Sequence, residues 1–291
     1  MPTFSLNYNK QANISRLALN QNENSLRSAV QRLSTGKKFN APVDGAASFS
    51  LISKMNSELL IGQQGVVNAQ NGTSMLDTAD AGLANIEKIF TDIGVLAEDA
   101  ANGIWNDDQR KVFDSQAASL LAVADNIALS TNFNGTNILS GSGTTGTDPI
   151  KLTLQIGTTN SPQDQIALEF VSARTKKLLE DYKGAGGTNK IALSTSQGAI
   201  DAVAQVEYVL TTVRSQREKI GQAQKAMQYN ISNRESMNEQ LSSTISNIGD
   251  ADVAQEMENY TNYTAKVQAS QYMYTVAMQN PAKIAQMIQS V

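Results

Sequence analysis

The stretch LLIGQQGVVNAQNGTSMLDTADAGLANIEKIFTDIGVLAEDAA, residues 59–101, decides the fold. Leu59, Gly62, Val66, Ala69, Thr73 and Leu76 alternate steps of three and four, and Ala79, Leu83, Ile86, Phe90, Ile93, Ala97 and Ala100 carry the pattern on. Such steps return a residue to one side of an α-helix every seven positions, so the spacing predicts a long helix with a single packing seam. Only the step from Leu76 to Ala79 repeats a three, which predicts a local shift of that seam. The helix is expected over about 45–102, a rod of roughly 80 Å at about 1.5 Å per residue. Gly45, Gly62, Gly65, Gly72, Gly82 and Gly94 sit in it or at its edge. Each interior glycine costs roughly 1 kcal/mol of helix propensity, and close approach of a neighbouring element is the expected compensation.

Before this helix stands RLSTGKKFNAPVDGAAS, residues 32–48. An amphipathic pattern over about 5–35 runs into it, with Leu19, Leu26, Val30 and Leu33 on one face and Ile14 and Leu17 extending it. Gly36 is placed to end that helix and Pro42 pushes Ala41 out of helical backbone. Asp44 is the expected N-cap of the long helix.

Beyond residue 101, ANGIWNDDQR reads as a turn in which Asn106 or Asp107 caps the next helix. That helix carries Phe113, Ala117, Leu120, Ala124 and Ile127 on its seam. STNFNGTNILSGSGTTGTDP then ends helical structure, and KLTLQIG and QIALEF alternate with period two, predicting a β-hairpin over about 151–170. GAGGTNK, 184–190, reads as a linker. A last helical run extends through Val203, Val206, Leu210, Val213, Arg217, Ile220, Gln224, Met227 and Ile231 to Leu241, Ile245 and Ile248. Gly249 and Asp250 break it, and Val253, Met257, Tyr260, Thr264, Val267, Gln271, Tyr274 and Met278 resume four–three steps. The fold class is therefore mainly α, with long antiparallel helices forming coiled-coil and bundle domains and one small β-hairpin.

Composition narrows the function. Of 291 residues 41% are hydrophobic but only 5% aromatic, and the net charge is −4 without a basic run. The footprint of nucleic-acid binding is missing, and Lys37 and Lys38 read as a solvated pair. There is no Cys and no His, which removes thiol chemistry, the commonest metal ligands and the commonest general base. Glu98, Asp107 and Asp108 are close in sequence but read as a solvated helix start. No enzyme, cofactor or metal is expected. No stretch is long and apolar enough to span a membrane. The N-terminus lacks the charged start and apolar block of a signal peptide, so export by a route without a cleaved signal is expected.

The two terminal helices carry narrow apolar stripes that neither can bury alone. Pairing them covers one face, yet Tyr260, Tyr263, Tyr272, Tyr274 and Met278 spread over more than one. Order through packing of further copies is expected, and contacts that do not close into a ring make filaments.

Several blocks resemble the bacterial flagellins. QRLSTGKKFNAPVDGAAS is similar to the family's RLSSG-x-RIN-x-A-x-DDAA, NAQNGTSMLDTADAGL to NA-x-DGIS…QTAEGAL, and AEDAANG and STNFNG to its A-x-x-x-NG and QFNG sites. SNIGDADVAQEM is similar to SRIEDADYATE, and VAMQNPAKIAQMI to the ANQ-x-PQ-x-VL-x-L ending. The blocks are collinear and cover nearly the whole chain outside about 140–195.

The resemblance implies a secreted, extracellular structural subunit that polymerises into the flagellar filament for motility. It implies an inner coiled-coil domain from 1–44 and 249–291, and an outer helical domain from 45–190 and 191–248. Leu19, Leu26, Val30, Leu33, Val253, Met257, Tyr260, Val267, Tyr274 and Met278 would serve the inner coil and polymerisation. Gly36, Pro42, Asp44, Gly45, Gly249 and Asp250 would carry the chain between tubes of different radius. A variable outer domain is absent or vestigial, since little chain lies between about 172 and 195. Implied partners are further copies of the chain, an export chaperone on about 250–291, and the filament cap and hook–filament junction proteins. At the segment by which some flagellins activate Toll-like receptor five, this chain reads KIFTDIGVL. Asp92 and Gly94 replace family arginines while Leu96 is retained, so weak or no activation is implied. A hook–filament junction protein and a surface flagellin-like adhesin are the alternatives.

Overall fold

A computed structural model of the protein describes residues 9–142, 148–180, 182 and 190–289, with side chains as far as residue 279. The first residues of the predicted opening helix and nearly all of the predicted 184–190 linker lie outside the described residues. Among the described residues six α-helices carry the fold: α1 (Lys10–Thr35), α2 (Ala46–Ala101), α3 (Asp107–Ser130), α4 (Thr175–Glu180), α5 (Ser196–Gly249) and α6 (Val253–Gln289). Two two-stranded antiparallel sheets join them, β1 (Asn132–Phe133) with β2 (Thr136–Asn137), and β3 (Ile150–Gln155) with β4 (Gln165–Phe170). The chain forms two compact units, one of residues 60–238 and one of 1–59 with 239–291.

In the 60–238 unit the α2 seam holds Leu76, Leu83, Ile86, Phe90 and Ile93, each at most 2% exposed. Its first half differs from expectation. Gly65 and Gly72 are buried where Val66 and Thr73 were expected, and those two are half-buried. Counted through Gly62, Gly65, Ala69, Gly72, Leu76 and Ala79, the threes and fours alternate without a break, so the local shift disappears. The reason is packing against backbone. A Cβ on Gly65 would collide with the carbonyl oxygen of Ile156, and one on Gly72 would meet Leu154 and Met227. Only glycine lets the hairpin lie on the helix there.

The hairpin is the predicted one, paired from Ile150 opposite Phe170 to Gln155 opposite Gln165. Asn68 Nδ2 donates to the Gln155 carbonyl at 2.9 Å, fixing it to α2. On α5 the register read from the sequence holds at every seventh residue, Val206, Val213, Ile220 and Met227, which are buried; between them Ala202, Val209 and Gln216 are buried in place of the expected Val203, Leu210 and Arg217, which are half-buried, as are Gln224 and Ile231.

α3 runs back along α2. Asn106 caps it reciprocally, its Oδ1 accepting from Gln109 N at 2.9 Å while Gln109 Oε1 accepts from Asn106 N at 3.1 Å. Buried Arg110 donates to the carbonyls of Ala100 (2.8 Å) and Asn102 (3.1 Å), satisfying the end of α2. Two α3 carboxylates hold the connection between the hairpin and α5: Asp125 accepts from Thr175 N at 2.8 Å, and Asp114 from Leu193 N at 2.7 Å.

In the other unit α1 and α6 pair antiparallel, tied by Asn9 Nδ2 to the Ala277 carbonyl (2.7 Å), Asn22 Nδ2 to Ser270 Oγ (2.8 Å) and Arg32 Nε to Glu256 Oε1 (2.9 Å). The two breaks meet as a small antiparallel clip. Lys37 bridges Asp250, Lys38 N donates to Gly249 O at 2.7 Å, and Ala251 N donates to Gly36 O at 2.8 Å. Gly36 ends α1 with φ +67°, left-handed backbone that glycine adopts without strain.

Candidate assembly surface

The residues expected for the inner coil fall into two groups. The α1 side that meets α6 is Ala12, Ser15, Leu19, Asn22, Leu26, Ala29 and Leu33, in unbroken four–three steps, all buried or half-buried. The facing side of α6 is Glu256, Asn259, Tyr263, Val267, Ser270, Tyr274 and Ala277. Leu19, Leu26, Leu33, Val267 and Tyr274 thus lie between the helices. Val30, Val253, Met257 and Met278 do not: they are 43%, 57%, 48% and 55% exposed, and Tyr260 stands at the seam's edge. Ile14 and Leu17 are also outside.

The shift has a physical cause. Ala and Ser let two backbones approach closely, and Asn9 and Asn22 hydrogen-bond across the seam. Val30, Val253, Met257 and Met278 stand beside that seam, in solvent. The result is a mixed seam, with small and polar residues interleaved between Leu19, Leu26, Leu33, Tyr263, Val267 and Tyr274, and with several further large apolar side chains left outside. Covering a side chain that is already half-buried contributes about 1 kcal/mol, so the uncovered set is worth several kcal/mol per chain to whatever buries it. A shallow groove along α1 lies beside this surface, lined by Leu17, Gln21, Asn24, Ser28, Arg32 and Tyr263.

Between α1 and α2 Pro42 opens a short 3-10 turn, Pro42–Asp44, and Val43 is 90% exposed. Asp44 does not cap α2 as expected. Its carboxylate accepts from Asn40 N and Ala41 N, both at 2.9 Å, and these bonds hold its pKa below the ordinary range. Gly45 stands at the start of α2 instead, its carbonyl accepting from Phe49 N at 2.9 Å. A Cβ there would meet the Phe39 ring at 2.8 Å. Gly249 closes α5 against Ile52, Asp250 belongs to the clip, and Asp252 caps α6 by accepting from Ala254 N at 2.9 Å.

Several partners were invisible in the sequence. Arg217 bridges Asp80 (2.7 Å) and Glu87 (2.8 Å), and Arg214 reaches the same Glu87 at 2.8 Å. Gln224 Nε2 donates to Asp77 at 2.7 Å. The Arg214 and Arg217 bonds hold the Glu87 carboxyl below its usual range. Arg234 of α5 pairs with Asp164 beside the hairpin, whose carboxyl is lowered mainly by the Thr159 hydroxyl. These pairs join residues far apart in sequence, and no short-range pattern announces them.

On α2, Asp92 is exposed and Leu96 is half-buried against the core. Asp107 and Asp108 pair with Arg110 (3.0 Å) and Lys111 (2.8 Å). Among the described residues no group of three or more acidic side chains is arranged to hold a metal, and no helix is long and apolar enough to cross a membrane.

Long antiparallel helices, one pair of which leaves several large apolar side chains exposed beside its seam, define a helical protein without a catalytic constellation among the described residues. The comparisons with known proteins agree. Residues 6–144 match the bacterial flagellin N-terminal helical region and residues 203–288 the bacterial flagellin C-terminal helical region, together most of the chain. It is 25% identical to a flagellin of Listeria innocua over 94% of this chain and 95% of that one. It is 27% identical to flagellin FlaB2 of Treponema pallidum over 94% and 96%. A putative flagellar hook-associated protein from Vibrio parahaemolyticus shares the fold at 11% identity, with a TM-score of 0.54 over 72% of this chain and 98% of that one. The chain belongs to the bacterial flagellin family.

Proposed function

We propose that this chain polymerises into the extracellular flagellar filament that drives motility, and that the α1–α6 pair is the part buried against further copies. The observation that carries this reading is the outward placement of Ile14, Leu17, Val30, Val253, Met257 and Met278 beside a seam already filled by other residues. A protein working alone would leave those faces in water at a cost that association removes. The flagellin relatives span nearly all of the chain and supply the kind of assembly.

In this reading residues 1–44 and 249–291 form the inner domain, and 45–190 and 191–248 the outer one. Gly36, Pro42, Asp44, Gly45, Gly249 and Asp250 carry the chain between them, supported by the Pro42–Asp44 turn and the clip that joins the two breaks. The C-terminal segment, with its unpaired apolar faces, is what an export chaperone would cover before assembly. Cap and hook–filament junction proteins would contact the same subunit in the growing organelle. Asp92 and Gly94 put an acidic and a bare position where family members carry arginines, so activation of Toll-like receptor five is weak or absent. A receptor reporter assay on purified monomer tests this, and full potency would contradict it.

The test of the main reading is growth on filament fragments in concentrated salt. The double variant Val30→Lys, Val253→Lys places two charges on exposed positions without touching the seam. It is expected to keep the monomer's helix content and lose elongation. Elongation at the unmodified rate would overturn the assignment of this surface.

A further inference from the structure

The chain has nine methionines and no cysteine, so thioethers are its readily oxidised sulfur. Their burial is uneven. Met227 is fully buried, its sulfur accepting the Thr73 hydroxyl at 3.7 Å, and Met75 is 6% exposed. Met257, Met273 and Met278 are 48%, 54% and 55% exposed, all on α6, while Met237 on α5 is 47% exposed in the other unit. Met257 and Met278 stand beside the face that meets α1, with Val253 and Tyr260 on their flank. Met273 projects from the opposite flank, next to Tyr272, which is 70% exposed.

We infer that Met257, Met273 and Met278 are three separate oxidation-sensitive modification positions along α6, whose oxidation blocks assembly of the free subunit and which assembly itself closes. The inference rests on the reading that the outer face of α6 is buried between copies. The co-reactant is a peroxide. The thioether lone pair attacks one peroxide oxygen, the O–O bond breaks and an S–O bond forms. Sulfur loses two electrons to become a sulfoxide, and the departing oxygen leaves as water after proton transfer. A flexible apolar side chain becomes a polar, chiral one. On a solvated face this costs the monomer little. On a face that must be desolvated against another chain it removes apolar burial and adds a polar group needing a partner. Reversal requires methionine sulfoxide reductases, one for each epimer.

The experiment treats full-length monomer and preformed filaments with hydrogen peroxide and maps sulfoxides by peptide mass. In monomer, sulfoxide is expected first at Met257, Met273, Met278 and Met237, and last at Met75 and Met227. The treated monomer should lose growth on filament fragments, and both reductases together should restore it. Met→Leu variants conserve volume. The triple variant at positions 257, 273 and 278 should grow after peroxide treatment, and Met237→Leu should remain sensitive. Where the triple variant does not grow untreated, the three single Leu variants are compared, each expected to lose part of the sensitivity. Undiminished growth of oxidised monomer, or full sensitivity of the triple variant or of all three single variants, overturns the inference. Equal oxidation of the α6 methionines in monomer and filament instead contradicts the buried-face reading on which it rests.

Discussion

Gly65 and Gly221 are both helical glycines, and the space beside each separates them. A Cβ at residue 65 would run into the Ile156 carbonyl, a backbone atom that moves only with the hairpin, whereas a Cβ at residue 221 meets nothing within 4 Å. Gly65→Ala is therefore expected to destabilise the 60–238 unit by about 1–3 kcal/mol through overpacking. Gly221→Ala is expected to stabilise it by about 0.5–1 kcal/mol through helix propensity. Urea unfolding of the monomer monitored by far-ultraviolet circular dichroism checks both, and equal effects would contradict the packing argument.

Glu87 supplies a second residue-level expectation. Its folded pKa is lowered from the ordinary value of 4.5, so its share of stability is complete above that value and lost as pH falls through the lower folded one. Glu87→Gln should flatten the acid limb of the stability curve. An unchanged pH dependence would show that the Arg214 and Arg217 pairs contribute nothing measurable.

Between elements, legibility depended on which residues carry the seam. The second half of α2 is readable because Leu, Ile and Phe mark it, and α5 is readable at Val206, Val213, Ile220 and Met227 but not between them, where buried Ala202, Val209 and Gln216 stand one residue before the expected Val203, Leu210 and Arg217. The first half of α2 was misread because the approaching residues there are glycines, which carry no hydrophobic signal. On α1 and α6 the expectation holds for Leu19, Leu26, Leu33, Val267 and Tyr274 and fails for Val30, Val253, Met257 and Met278 for a related reason: Ala12, Ser15, Asn22 and Ala29 on α1, and Ser270 and Ala277 on α6, take seam positions that carry no hydrophobic signal. The β1–β2 hairpin had its cue in Asn134–Gly135, both at positive φ, but each strand is two residues long and leaves no alternation to read. Long-range ion pairs left no cue. Arg217, read as a polar seam position, links α5 to α2 through Asp80 and Glu87. Arg217→Ala should cost roughly 1 kcal/mol, the scale of a partly exposed pair. A double-mutant cycle with Asp80→Ala should show coupling, and strict additivity would assign the register to apolar packing alone.

For the whole molecule, the two units differ in how much they satisfy themselves. The 60–238 unit encloses Phe90, Leu83, Ile86, Leu139, Leu178 and Val209 almost completely. The α1–α6 pair buries fully only Ala12, Ser15, Ala29 and Ala277, half-buries Leu19, Leu26, Leu33, Val267 and Tyr274, and leaves Val30, Val253, Met257 and Met278 exposed, the set that other chains would cover in the proposed filament. Hydrogen exchange read by mass spectrometry in monomer and in seeded filament tests this contrast directly. Peptides from Lys10–Thr35 and Val253–Gln289 should exchange fast in the monomer and become strongly protected in the filament, while those from the α2–α5 core are protected in both. Slow exchange of the α1 and α6 peptides in dilute monomer, with no further slowing on assembly, would contradict the account.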